Sequence, residues 1–150
     1  PEPRWRFADR YSQYEVYETR LTLEPRAAGL AAVKSTAGPL AEIGRSVDGM
    51  RRAVESGDLI AVAECDSAFH RTIVECSGNR MFVELFRTVN GVMDEIQRLP
   101  FIHHDRIWET VHEHEAILAA LGDRDAAAAS SAMARHITAA AGRIGVILEG

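Results

Sequence analysis

The chain is poor in the features that would commit it to a disulfide scaffold, a membrane or a nucleic-acid surface. It has 2 cysteines in 150 residues, Cys65 and Cys76, and neither belongs to a Cys-x-x-Cys pair. In one expected helix their separation is roughly 16 Å of rise, too far for a mutual disulfide, so two reduced, half-buried thiols are expected. No apolar run approaches the ~18 residues of a membrane span. The polar, basic opening Pro1 to Arg10 lacks the continuous apolar core of a signal peptide. Lys and Arg number 17 against 22 Asp and Glu, a formal charge of -5. Without a clustered basic face there is no electrostatic case for wrapping nucleic acid. Alternating apolar and polar runs bounded by hairpin turns are missing too, which removes the strand signal. These absences leave a soluble, cytoplasmic, all-helical domain without membrane contact as the expectation.

What is present reads as helix almost throughout. Asp9 to Glu24 carries the stripe Gln13, Val16, Arg20, Leu23 and Ala27. Pro25 is expected to end or kink this helix and to open a second one, because a prolyl ring suits a first helical turn. Gly38-Pro39 marks the next boundary, followed by Leu40 to Ser56 with Ile43, Val47, Met50 and Val54 inward. Gly57-Asp58 stops one helix and caps the next, Asp58 to Cys76. After Ser77-Gly78-Asn79, a helix over Arg80 to Leu99 has Phe82, Leu85, Phe86, Val89, Met93 and Ile96 as its apolar face. Pro100 ends it, and Phe101 to His104 form a connection. Asp105 to Leu121 has the seam Ile107, Val111, Leu118 and Leu121, and an alanine-rich helix runs from Asp123 to Leu148. The sum is an all-α antiparallel bundle of about six or seven helices.

Polar residues break these apolar faces at a few positions. Asp66 and His70 stand one turn apart on the inner face of the helix that also carries Val62, Phe69 and Ile73. His114 falls inside the seam of its helix, whereas His112 projects about 160° away. His136 shares a face with Ala129, Ala132, Met133, Ala140 and Ile147. A buried polar group without a partner costs several kcal/mol, on the order of 2–7. Three imidazoles and a carboxylate facing inward suit a divalent ion such as Zn²⁺, Ni²⁺, Mn²⁺ or Fe²⁺; hydrogen-bonded core residues are the plainer reading. Arg20 and Arg143 break the rule as well. Each is either half of a buried salt bridge or a clamp for an anionic ligand, since guanidinium matches a carboxylate. Thr110, one turn before His114, offers a hydroxyl on the same side. Glu113 and Glu115 are expected to project sideways.

Three stretches together carry a family resemblance: YETRLTLEPRAAGLAA, DSAFHRTIVECSGN and HEAILAALGDRDAAAASSAMARHI. The sequence resembles the FCD-type effector-binding domain that follows the winged helix-turn-helix in GntR-family bacterial transcriptional regulators of the FadR subfamily. The resemblance covers nearly all of the chain from about Tyr11, with residues 1–10 a remnant of the interdomain connection and 11–150 the domain. It implies that Asp66, His70, His114 and His136 bind one divalent metal per chain, with Zn²⁺ favoured. It implies further that Arg20 and Arg143 help hold a small organic acid: a hydroxy-, keto-, dicarboxylic or sugar acid. It implies a homodimer that reaches operator DNA only through the winged-helix domain, which this polypeptide lacks. The expected role is therefore not enzymatic. A metal-dependent enzyme and a plain helical dimerisation module are the rival readings.

Overall fold

Glycine, aspartate and proline decide where the helices begin and end. The computed structural model describes residues 10–88, 91, 92, 94 and 104–149. Six α-helices are formed there: α1 (Gln13–Lys34), α2 (Ala37–Ser56), α3 (Leu59–Cys76), α4 (Arg80–Thr88), α5 (Ile107–Gly122) and α6 (Ala126–Arg143), with a 3-10 turn at His104–Arg106 before α5. There are no strands among the described residues, and the chain is an all-α bundle.

α1 opens on a reciprocal cap. Ser12 Oγ accepts from Glu15 N–H at 3.1 Å, and Glu15 Oε2 accepts from Ser12 N–H at 2.8 Å. The helix then runs through Pro25 without stopping, which corrects the expectation of two helices meeting there. Both sides of the proline carry buried residues, Val16, Tyr17, Arg20 and Leu23 before it and Ala27, Ala28, Ala31 and Ala32 after it. Packing of this one long face against α6, α3 and α5 outweighs the lost backbone bond. α2 likewise starts earlier than expected, at Ala37, with Pro39 inside its first turn, where an N–H has no helical acceptor anyway.

The Gly57-Asp58 joint forms as its residue types require. Gly57 takes φ 74°, a left-handed conformation that costs glycine little, and Asp58 caps α3 through Ala61 N–H at 3.0 Å. Asn79 Oδ1 accepts from the first N–H groups of α4, and Asp125 caps α6 through Ala128 N–H at 2.9 Å. α6 ends at Arg143, short of the expected Leu148. Gly145 at φ 81° lets Val146 N–H return to Ala141 O at 2.9 Å and Gly145 N–H to Gly142 O at 3.1 Å, a Schellman closure. Ile147 is consequently exposed instead of sharing the face of His136. Leu85 is also exposed, and Ile117 replaces Leu118 as the fully buried residue of its turn. Val89, Met93, Ile96, Pro100, His103 and the segment 1–9 lie outside the described residues.

Two apolar clusters fill the bundle. The larger joins α1, α3, α5 and α6 through residues such as Tyr17, Phe69, Ile73, Ile117, Met133 and Ile137. The smaller holds Met50, Ala53, Val62, Ala63, Ile107 and Val111 from α2, α3 and α5. Along α3 the changeover falls between Ala63 and Phe69, and along α5 between Val111 and Ile117. Asp66 and His114 stand at those changeovers. No helix among the described residues is long and apolar enough to cross a membrane.

Candidate metal centre

Asp66 and His70 from α3, His114 from α5 and His136 from α6 are buried, and one ligand atom from each lies within 4.8 Å of all the others. The helix-face reasoning selected these four, and the fold brings them together. Asp66 Oδ1 is 3.2 Å from His114 Nε2 and 3.7 Å from His70 Nε2. His70 Nε2 and His136 Nε2 are 3.2 Å apart. The His114 ring stacks on Phe69 with centroids 3.9 Å apart; its Nε2 faces Asp66 Oδ1, and its Nδ1 has no hydrogen-bond partner among the described residues.

The outward nitrogens of two imidazoles are already engaged. His70 Nδ1 meets Glu24 Oε2, and His136 Nδ1 meets Glu113 Oε2 at 2.7 Å. Sequence reasoning missed both glutamates. Glu24 faces inward one turn after Arg20, a detectable i,i+4 signal; Glu113 was expected to project sideways, but it reaches across to α6. Glu115 instead pairs with Arg51 at the surface.

The arginines form the salt bridges that were one of the two expectations for them. Arg20 Nε donates to Glu24 Oε1 at 2.8 Å. Arg143 donates from its two terminal nitrogens to the two oxygens of Glu113, both at 2.8 Å, and reaches Glu109 at 3.4 Å. Each keeps one buried nitrogen without a partner among the described residues, Arg20 Nη2 and Arg143 Nε. Thr110 Oγ1 is likewise buried without a partner among the described residues. Thr19, Thr22 and Thr138 all donate to the carbonyl four residues back, so the solitary hydroxyl of Thr110 departs from the local habit of its residue type. Tyr17 is fully buried within reach of the charges of Arg20, Asp66, Arg143 and Glu24.

Protonation states follow from these contacts. Burial opposes ionisation of Asp66, but the imidazoles of His114, His70 and His136 hold its carboxyl below the usual range. Burial likewise opposes Glu24 and Glu113, and their partners prevail: Arg20 and His70 hold Glu24 well down, while Arg143 and His136 bring Glu113 to about 2. Burial drives the imidazoles the other way, lowering His114 and taking His136 to about 3 against the pull of Glu113. Burial pushes the Tyr17 hydroxyl up to about 12. Anionic carboxylate and neutral imidazoles are the states in which these groups ligate metals.

The donor set fits a cation. Ionised carboxylates can only accept, so the facing Nδ1 atoms of His70 and His136 carry protons, and the Nε2 atoms are the ring nitrogens that turn inward. The two Nε2 atoms, 3.2 Å apart beside an anionic Asp66, face a space that a proton shared between the rings or a metal ion would fill. Three imidazole nitrogens and one carboxylate oxygen suit Zn²⁺ and, with further positions filled, Ni²⁺, Mn²⁺ or Fe²⁺.

Comparison with known proteins identifies the domain family. Residues 15–139 match the FCD domain family. The chain is 28% identical over 138 residues to the Uxu operon transcriptional regulator of Escherichia coli K12, covering 83% of this chain and 50% of that protein. Among solved structures, Streptococcus agalactiae GntR superposes with a TM-score of 0.70 at 28% identity, covering 85% of this chain and 56% of that one. E. coli McbR/YncC shares the fold, with a TM-score of 0.73 at 22% identity over 91% of this chain and 67% of that one. The chain thus spans about half the length of the regulator it matches.

Proposed function

Because the chain belongs to the FCD domain family, we propose that it is the effector-binding domain of a GntR-type transcriptional regulator. In this reading it senses a small organic acid through a divalent metal held by Asp66, His70, His114 and His136. The observation that carries it is the meeting of His70 Nε2 and His136 Nε2 at 3.2 Å, with both Nδ1 atoms committed to carboxylates. A bound ion, Zn²⁺ above the others, would attract a carboxylate or hydroxyl of the acid as a Lewis acid.

Charge supports an anionic effector. Asp66, Glu24 and Glu113 carry three negative charges against the two positive charges of Arg20 and Arg143, and a divalent ion bound by uncharged imidazoles turns this balance into one net positive charge. The orphan groups Arg20 Nη2, Arg143 Nε and Thr110 Oγ1 are donors that an acid's oxygens would satisfy. In this proposal a winged-helix domain outside this chain binds operator DNA, the regulator is a cytoplasmic homodimer, and the acid favours one arrangement of that dimer, since equal affinity for both would shift nothing. The relatives are regulators, not enzymes, and the domain is assigned no reaction.

Elemental analysis of purified protein should find close to one divalent ion per chain, and adding Zn²⁺ to chelator-stripped protein should raise its thermal midpoint. Titrating the loaded protein with hydroxy-, keto-, dicarboxylic and sugar acids should show binding to at least one class. Stripped protein whose midpoint ignores added Zn²⁺ sinks the proposal.

A further inference from the structure

Two Arg–Glu–His chains converge on the candidate metal centre from different parts of the sequence. In one, Arg20 and Glu24 on α1 lead to His70 on α3; in the other, Arg143 on α6 and Glu113 on α5 lead to His136. The order of contacts is the same in both. One carboxylate oxygen serves an imidazole Nδ1, and the arginine holds the same carboxylate, Arg20 through the other oxygen of Glu24 and Arg143 through both oxygens of Glu113. A salt bridge whose only task was to neutralise a buried arginine would not need its carboxylate aimed at an imidazole. Among the described residues His114 has no such chain; its ring is held by stacking on Phe69, and its Nδ1 has no partner there.

We propose that Glu24 and Glu113 are positioning residues for the metal site. Each fixes one imidazole as the Nδ1–H tautomer, so that the Nε2 lone pairs of His70 and His136 meet, and each arginine locks the carboxylate in the required orientation. The inference rests on the metal-sensing reading above. It adds that two of the three histidines are preset by carboxylates on their outward nitrogens before an ion arrives, whereas His114 faces only Asp66, itself one of the four inward donors. Carboxylates in this relation to ligating histidines fix the ring and raise the basicity of the nitrogen that binds.

Nitrogen-15 NMR of the imidazoles in chelator-stripped protein near neutral pH reads the tautomers directly. His70 and His136 should both appear as Nδ1–H; an Nε2–H ring at either position overturns the proposal. The second arm is Glu113→Gln, chosen because this side chain is 22% exposed whereas Glu24 is fully buried. An amide cannot accept from Arg143 through both of its ends, so the ring of His136 loses its fixed acceptor. Affinity for Zn²⁺, read by competition with a chromophoric chelator, should fall about 10–100-fold, with the circular dichroism of stripped protein unchanged. Glu115→Gln on the same helix should leave it unaltered. A loss for Glu113→Gln below about twofold overturns the proposal. Wild-type protein that takes up no Zn²⁺ would sink the sensor reading instead, whereas Zn²⁺ binding by rings in the Nε2–H form would sink only the positioning role.

Discussion

Thr110 is a buried hydroxyl with no hydrogen-bond partner among the described residues, and such a group costs about 1–3 kcal/mol of stability. Thr110→Val should therefore raise the stability of the acid-free domain by roughly 1 kcal/mol in denaturant titration while weakening the effector acid and leaving metal content unchanged. A variant that loses stability would place the hydroxyl in a structural role. The ionisable residues make a second prediction. His136 drops from its ordinary 6.5 to about 3 in the fold, and Glu113 from 4.5 to about 2. Within each interval the unfolded chain binds a proton that the folded chain does not, so metal-free stability falls as pH falls. Thermal midpoints of stripped protein should decline steadily from about pH 6.5 downward; a flat profile to about pH 4 contradicts these assignments. The four inward donors were legible because a polar residue inside an apolar stripe identifies itself. Glu24 and Glu113 were not, because their significance lies in contacts to other helices, which helical periodicity does not encode.

At the scale of the element, α1 shows how packing overrides a local signal. Proline in a helix interior costs roughly 3 kcal/mol relative to alanine, yet the helix passes through Pro25 with buried residues on either side. Pro25→Ala restores an N–H for the Leu21 carbonyl and forfeits two or so buried methylenes, about 0.8 kcal/mol each. The balance predicts a gain of about 1 kcal/mol in unfolding free energy, measured by urea titration, and a net loss would show that the ring packs better than its area suggests. The Gly57-Asp58 boundary, written in local chemistry, was readable in advance, whereas α6 was expected from Asp123 and is instead capped by Asp125 and begins at Ala126. The end of α6 was misread because the apolar run Ile144 to Leu148 continues beyond Gly145, and only the backbone turn at that glycine shows that the helix has closed.

For the whole molecule, the candidate centre joins residues that are far apart along the chain. Glu24 meets His70 across 46 positions, His70 meets His136 across 66, and Arg143 returns to Glu113 across 30. Closing loops of that size costs entropy before any contact rewards it, so these meetings belong late in the folding reaction. An ion that needs all of them has nothing to grip in the transition state. Zn²⁺ should accordingly act as a brake on opening rather than as a seed for assembly. In stopped-flow denaturant jumps it should slow the unfolding limb of the chevron severalfold and leave the refolding limb where it was; a faster refolding limb would mean that the three helices meet early. A cell holding such a domain would then set its lifetime, and not its rate of birth, by the supply of metal.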